Sequence, residues 1–461
     1  MSLKRLNPFT DRAFNRRLTR LAAPMVLQYL MLASVAVSDA LMLGSVAQNS
    51  MSAVSLATQY QFIQNVILGA MTSAVSVLAA QYWGKGDERT VARVLAIGVR
   101  VCGLLSLCFG LACILFPVPL MRLFTDAEVL VDIGARYLRI AGWSYLLTGL
   151  SQPMMTVTKA IGHPKEVAVI SSSAVVLNIV LNGALIFGWC GLPALEVEGA
   201  AWATLICRVV ELCWIAAVTC RKGFVRLKAR LLVTVDRVLS LDFSKCMLPL
   251  LGAGLFWGIG FVSYSAFMGH MGTDAVAANS VAAVVRDMVC CMCDGLAGAS
   301  GVLVGQELGA GNLKAAKESG DRLTVMAFLI GALSALLMLA LTPLVLMLVR
   351  LTEGATQCLS GMMLIMAFYM IGRAVNTVII NGIFAAGGDT MFDFYSLAVV
   401  MWCLAVPLAA LGTFVFHWPA LLVYACTCLD EVGKIPWVMA HYRKYKWVKD
   451  LTRDFPEGEK A

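Results

Sequence analysis

The chain has 461 residues, of which 60% are hydrophobic and 14% are charged, and its formal net charge is +8 at pH 7. Because ordinary soluble proteins carry about 25% charged residues, this composition excludes a soluble globular fold. The excess of Lys and Arg could suggest a nucleic-acid partner, but these residues cluster in alternate loops between apolar stretches, which is typical of a membrane protein.

Apolar stretches follow one another along the chain with short polar interruptions. Each is about 20 residues or longer, the length that a helix needs to cross a bilayer, and helices satisfy their own backbone hydrogen bonds in lipid. We therefore predict an all-α polytopic membrane protein with twelve transmembrane helices, over residues 21–45, 52–82, 94–116, 128–161, 167–188, 199–220, 244–270, 275–308, 320–349, 355–386, 391–416 and 419–441.

The loops indicate the orientation of these spans. Six Lys and Arg residues precede the first span, at positions 4, 5, 12, 16, 17 and 20, whereas the loops 46–51 and 189–198 contain none. By the positive-inside rule, both termini are expected in the cytoplasm, at an inner or plasma membrane of bacterial type. The first span is not expected to be a cleaved signal peptide, because it is too long and lacks a small-residue cleavage site.

Residues 24–162 recur 225 positions later without a gap, so that Pro24 returns as Pro249 and Ser38 as Ser263. Since each copy has an even number of spans, this predicts two pseudo-symmetric six-helix lobes in a parallel repeat, an arrangement typical of alternating-access transporters. The predicted organisation is a cytoplasmic N-terminal segment over 1–20, an N-lobe over 21–220, a cytoplasmic linker over 221–243, a C-lobe over 244–443 and a cytoplasmic tail over 444–461.

The second span of each copy ends in a matching polar turn. The two turns read Gln81-Tyr-Trp-Gly84-Lys-Gly86 and Gln306-Glu-Leu-Gly309-Ala-Gly311. Because glycine allows the backbone to leave a helix, we interpret these turns as structural elements and not as ligand sites.

Several motifs occur together in this order and spacing. They are Ser38-Asp39-Ala-Leu-Met-Leu-Gly44 in the first span, Gln81-Tyr-Trp-Gly-Lys-Gly-Asp87, Asn381-Gly-Ile-Phe-Ala-Ala-Gly-Gly-Asp-Thr390, and the fifth and sixth spans around Asn178 and Thr204. With its duplication, the chain resembles the multidrug and toxic compound extrusion (MATE) family over almost its whole length. The resemblance implies two lobes of six helices, a central cavity, and cation-driven export of organic, often cationic, compounds.

Asp39 is the predicted cation-coupling residue. It lies well inside the first span, where a lone charge costs roughly 2.5–3.5 kcal/mol. Its counterpart in the second copy is Tyr264, so the fold itself does not require a carboxyl group at this position. A carboxyl group that can be protonated at membrane depth suits proton coupling. The structural alternative is an aspartate that only holds a kinked helix.

Asn178 and Asn182 are predicted to join Asp39 in the cation-coupling site. They stand four residues apart in the fifth span and therefore on one helix face. The resemblance adds Thr204, and it also implies an aspartate at position 182 in part of the family. The asparagine found here leaves one carboxyl group in place of two, which weakens a sodium site. Hydrogen bonding between helices is the structural alternative for both asparagines.

Charged residues in the second lobe form a possible polar site. Asp287 and Asp294 are seven residues apart and roughly on one helix face, and Arg373 in the tenth span is a predicted partner for one of them. An internal ion pair that fixes packing is the alternative interpretation.

Two further groups of charges are predicted to neutralise themselves within one helix. Arg208 and Glu211 stand three residues apart in the sixth span. Asp430, Glu431 and Lys434 follow the same pattern in the last span.

Taken together, these features predict a secondary active transporter, working as a monomer in the bilayer, that exports small organic cations by antiport coupled to H⁺. Coupling to Na⁺ is the nearest alternative. A flippase for lipid-linked precursors is disfavoured, because few arginines lie inside spans one to five. An intramembrane enzyme is disfavoured because no Cys/His or paired-carboxylate constellation is present. We expect no cofactor, no metal site and no nucleic-acid partner.

Overall fold

The computed structural model describes residues 11–44, 48–188, 194–234, 236–349 and 351–454, and throughout these ranges every regular element is a helix. The helices are α1 (Arg12–Gly44), α2 (Gln48–Lys85), α3 (Glu88–Leu115), α4 (Pro117–Arg122), α5 (Glu128–Ala160), α6 (Pro164–Phe187), α7 (Glu196–Thr219), α8 (Ala229–Val233), α9 (Arg237–His270), α10 (Thr273–Gly309), α11 (Leu313–Leu348), α12 (Glu353–Asn376), α13 (Met391–Leu397), α14 (Val406–Phe414), α15 (Ala420–Thr427), α16 (Leu429–Val432) and α17 (Ile435–Tyr442). Two π-helical stretches, Thr377–Phe384 and Ala398–Ala405, continue α12 and α13.

Helices occupy all twelve predicted spans, and the prediction of an all-helical membrane fold is confirmed. Among the described residues, ten helices are long and apolar enough to cross a membrane by length and composition. The other two spans are α5, which carries charges such as Asp132, Arg136 and Lys159, and the last span, in which α15, α16 and α17 replace one helix.

The prediction of one continuous helix over 419–441 is therefore wrong. Pro436 lies in the first turn of α17. Because proline has no amide hydrogen, it cannot bond to the carbonyl oxygen of Val432, and the chain restarts as a new helix at this point. Pro407 lies at the start of α14, where it leaves the carbonyl group of Cys403 without its usual partner next to a π-helical stretch, but the helix continues without a break. Such widened turns are often found at functional sites.

The chain divides into two compact units. The N unit contains residues 30–79 and 87–244, and the C unit contains residues 11–29, 80–86 and 245–453.

Small residues bring the helices of the N unit close together. A Cβ atom added to Gly110 in α3 would meet the carbonyl oxygen of Gly142 in α5, and one added to Gly149 in α5 would meet Ser106 in α3. Close backbone approach at small residues is a common way of packing helices in membranes. Helix α5 also packs on α7, which in turn packs on α6, so α3, α5, α7 and α6 form a continuous layer.

The matched glycine turns meet inside the C unit. A Cβ atom on Gly84 would collide with the backbone carbonyl of Gln306, and one on Gly309 would collide with the backbone carbonyl of Gln81. Positions 84 and 309 are equivalent in the repeat, as are 81 and 306, so the contact is reciprocal. The ends of α2 and α10 thus touch at positions where only glycine fits.

The segment after α17 packs against the rest of the C unit. Trp447 is fully buried, with its ring against Gly320 and Tyr442. Tyr445 donates a hydrogen bond to Asp321 at 3.1 Å. Burial and the nearby carboxylate of Asp321 raise the pKa of Tyr445 to about 12, so its hydroxyl keeps the proton that it donates. The side chain of Gln81 accepts a hydrogen bond from the amide of Leu451 at 2.7 Å, which ties the segment to the end of α2.

Candidate functional site

The N unit contains a cavity of about 670 Å³ between α1, α2, α5, α6 and α7. Drug-sized ligands occupy pockets of about 300–1,000 Å³, so the cavity can hold a small organic molecule. Its wall mixes aliphatic side chains, such as Leu32, Val54 and Val175, with amides and hydroxyl groups.

Helix α2 supplies a polar stripe to this wall. Thr58, Gln61, Asn65 and Thr72 all line the cavity, at spacings of three, four and seven residues that place them on one face of the helix. Phe62, on another face, is exposed. Sequence reasoning missed this stripe, although its helical spacing within an apolar span is a signal that could have indicated it.

Three of the four predicted cation-coupling residues lie together in the N unit. Asn182 donates through Nδ2 to Oδ1 of Asn178 at 3.2 Å, and Asn178 donates through Nδ2 to Oγ1 of Thr204 at 3.5 Å. Asn178 and Thr204 line the cavity, and Asn182 is buried. Asp39 belongs to α1, but its side chain lies outside the described part of the structure. The predicted contact between Asp39 and the asparagines therefore stays a prediction.

A partly buried ion pair occupies another part of the cavity wall. Arg208 donates through Nη1 to Oε2 of Glu211 at 2.6 Å, as the spacing of three residues predicts. Ser151 of α5 donates to the other carboxylate oxygen of Glu211 at 3.2 Å. The spacing of Arg208 and Glu211 predicts that they pair on one helix, but it does not indicate that the pair lies at a cavity, because spacing along a helix does not show which other helices surround it.

The three residues of the possible second-lobe polar site make different ion pairs. In the C unit, Arg373 lies 3.7 Å from Asp294, whereas Asp287 pairs with its neighbour Arg286 at 2.9 Å and is largely exposed. The predicted partnership of Arg373 with one aspartate is thus present for Asp294 and absent for Asp287. Glu431, which was predicted to be neutralised by its neighbours in the last span, also pairs with Arg373 across helices at 3.1 Å.

A small polar cavity of about 80 Å³ lies in the C unit, with Asp430, Tyr264 and Arg286 in its wall. Because one water takes up about 30 Å³ of liquid, the space suits a few water molecules and excludes organic compounds. Arg286 is equivalent in the repeat to Gln61, which lines the larger cavity of the N unit. The two repeats therefore hold cavities at equivalent positions but of very different size. Over the described ranges, no group of three His, Cys, Asp or Glu side chains is placed to hold a metal ion.

The family comparison covers most of the chain. The model of the MatE family matches residues 24–183 and 249–411, which contain the two copies of the internal repeat. The uncharacterized transporter YisQ of Bacillus subtilis is 23% identical over 377 residues, covering 81% of this chain and 82% of that protein. The probable multidrug resistance protein NorM of Bradyrhizobium diazoefficiens is 26% identical over 401 residues, covering 85% and 84%.

Solved structures agree with this assignment at the level of the fold. An outward-facing multidrug resistance MATE family transporter of the MOP superfamily aligns with a TM-score of 0.84 at 16% identity, covering 97% of this chain and 99% of that one. A crystal structure of MATE in complex with MaL6 aligns with a TM-score of 0.85 at 17% identity and the same coverage. The chain therefore belongs to the MatE family: it is a two-lobed, multi-pass MATE efflux transporter, and not an enzyme.

Proposed function

We propose that this transporter exports small organic compounds by antiport with protons, and that Asp39 is the group that binds the proton. The observation that carries the proposal is the hydrogen-bonded group of Asn178, Asn182 and Thr204 at the wall of a drug-sized cavity. The multidrug resistance proteins among the relatives support the substrate class.

The register of α1 supports the place given to Asp39. Leu32 and Val35 line the cavity, and position 39 follows them by seven and four residues along the same helix. Those spacings return to one face of an α-helix. The amides of Asn178 and Asn182 can donate a hydrogen bond to a carboxylate or accept one from a carboxylic acid. A carboxyl group among them has a partner in both of its charge states.

In the proposed cycle, deprotonated Asp39 favours the state that accepts the organic compound. A proton from the outer side neutralises the carboxylate, changes its hydrogen bonds to the asparagines, and favours release of the compound. Each proton that enters down a potential of about 100 mV supplies about 2.3 kcal/mol. The protein is proposed to work as a monomer in a bacterial inner membrane, with both termini in the cytoplasm, in accord with the charge of its loops.

Transport of a fluorescent organic cation into everted membrane vesicles under an imposed pH gradient tests the proposal. Asp39→Asn should reduce uptake to the level of vesicles without the protein, whereas Asp39→Glu should keep part of the activity because it keeps the carboxyl group. Asp126→Asn is the matched control, because it neutralises an exposed aspartate in the same half of the sequence. Full pH-driven transport by Asp39→Asn would refute the proposed coupling.

The same vesicles separate protons from sodium ions. Neutral oxygens of Asn178 and Thr204 are suitable ligands for Na⁺, but the single carboxyl group favours the proton. Transport should follow a pH gradient at equal Na⁺ on both sides. Transport driven by a Na⁺ gradient at equal pH would show that the coupling ion is Na⁺ and not H⁺.

A further inference from the structure

Arg208 lies near the middle of α7, at membrane depth, and lines the cavity of the N unit. Its side chain is 22% exposed, whereas that of its partner Glu211 is 3% exposed. A charged side chain at this depth is costly and marks a functional site more often than a structural one. The arginine thus presents a charged group to the space in which a substrate would bind.

The two partners of this ion pair are unequally satisfied. Both carboxylate oxygens of Glu211 accept hydrogen bonds, one from Arg208 and one from Ser151. Among the described residues, the structure gives Arg208 a single hydrogen bond, the one to Glu211. Because a guanidinium group has five N–H donors in a planar fork, most of its donors remain for another partner. Glu211 therefore positions Arg208 and leaves most of its N–H donors available.

The charges of the cavity wall also indicate that Arg208 is available to bind an anionic group. Among the described side chains that line the cavity, Arg208 and Glu211 are the charged ones, and they cancel each other. The remaining polar groups are neutral amides and hydroxyl groups, such as Gln61, Asn65 and Thr148. Apart from Asp39, which is proposed to bind the proton, this wall has no excess negative charge for a simple cation. It offers a guanidinium fork for an anion and neutral groups for the rest of the molecule.

We propose that Arg208 binds a carboxylate of the exported compound, so that the preferred substrates are organic molecules that carry a carboxylate together with an amine. The planar fork of arginine matches a carboxylate with two parallel hydrogen bonds. The inference rests on the proposed function only in taking this cavity as the substrate site. The competing role, an ion pair that merely holds α7 in place, makes different predictions for ligand binding.

Two dyes that differ only at the carboxyl group provide the test. Rhodamine 19 has a free carboxylate, and rhodamine 6G is its ethyl ester. Binding of each dye to the purified full-length protein in vesicles of neutral phosphatidylcholine is followed by fluorescence polarisation without an ion gradient. The wild type should bind the acid about tenfold more tightly than the ester, the effect of one hydrogen-bonded charge pair.

Substitution of Arg208 should remove this preference. Arg208→Gln should weaken binding of the acid about tenfold and leave the ester within about twofold, and Arg208→Lys should keep part of the preference through its charge. Arg136→Gln is the matched control, because Arg136 is an exposed arginine of the same unit that pairs with Asp132 and Glu198 away from the cavity. Equal losses for both dyes, or no preference in the wild type, would overturn the proposal.

A second arm identifies the source of the anion. In vesicles that contain phosphatidylglycerol, the preference for the acid should persist, and its loss would assign the arginine to a lipid phosphate and overturn the proposal. Since binding is measured without a gradient, these outcomes are independent of the Asp39→Asn transport assay. The two proposals can therefore fail separately.

Discussion

Arg373 donates through Nη1 to Oε1 of Glu431 at 3.1 Å, and this bond connects α12 with α16 inside the C unit. Asn376, one turn after Arg373, donates to Oε2 of the same carboxylate at 2.7 Å. Asp294 of α10 completes the group from the other side of the guanidinium. Arg373 thus connects three helices, α10, α12 and α16. Because α16 has only four residues, its own backbone hydrogen bonds stabilise it weakly.

Removing the charge of Glu431 should therefore destabilise the protein strongly. Glu431→Gln leaves a buried guanidinium without its main partner, and breaking a buried pair in this way costs about 3–5 kcal/mol. The midpoint of thermal unfolding of the purified protein in detergent should fall by several degrees. Glu128→Gln is the matched control: it breaks an exposed pair with Arg122, whose loss costs about 1 kcal/mol or less. Equal midpoints for the two variants would contradict this role of Glu431.

The polar group at the cavity wall gives a prediction that separates function from packing. Asn178→Leu removes the hydrogen bonds to Asn182 and Thr204, and we expect pH-driven transport per folded protein to be lost. Gln64→Leu is the matched control in the same unit, since Gln64 also bonds across helices, to Ser106 at 2.8 Å, but does not line the cavity.

Both variants should lose stability by a similar amount, about 1–3 kcal/mol, because each leaves buried polar groups unpaired. Only Asn178→Leu should lose transport, measured in vesicles with equal amounts of folded protein. A loss of transport in Gln64→Leu that matches its loss of stability would indicate that packing, and not the cavity wall, limits transport.

The helices and the repeat could be predicted from sequence because their signals are local. Hydropathy indicated the position of every span, although not the breaks in the last one, and the glycine turns fell where α2 and α10 end, at Lys85 and Gly309. The pairing of Arg208 with Glu211 was also local, since three residues along a helix bring two side chains together.

Features that depend on tertiary contact could not be predicted in the same way. Arg373 and Glu431 are 58 residues apart in the chain, and nothing in the spacing of either residue indicates the other. The pattern of Asp430, Glu431 and Lys434 predicted local neutralisation and gave no sign of the additional partner Arg373, which another helix supplies. The proposed role of Asp39 rests on its position in the sequence, on the register of α1, and on the hydrogen-bonded group of Asn178, Asn182 and Thr204 at the cavity wall.

The reciprocal contact between the two glycine turns predicts that positions 84 and 309 tolerate no side chain larger than that of glycine. Gly84→Ala would place a methyl group on the backbone carbonyl of Gln306, and Gly309→Ala would do the same at Gln81. Backbone cannot move away as a flexible side chain can, so each variant should lose about 1–3 kcal/mol through overpacking. Gly258→Ala is the control, because a Cβ atom there meets no other atom within 4 Å. Its thermal midpoint should stay at or above that of the wild type, while those of Gly84→Ala and Gly309→Ala fall.

Trp447 gives the last prediction, because its ring is fully buried although it lies beyond the final helix. Trp447→Ala leaves a large void against Gly320 and Tyr442 and should cost about 3–5 kcal/mol. Among the described residues the indole nitrogen has no hydrogen-bond partner, so Trp447→Phe removes an unsatisfied donor and keeps most of the ring. Its loss of stability should therefore be much smaller than that of the alanine variant.

Trp143→Ala is the control, since Trp143 is 52% exposed and its removal should change the thermal midpoint little. Similar midpoints for Trp447→Ala and Trp143→Ala would show that the segment after α17 adds nothing to the stability of the C unit.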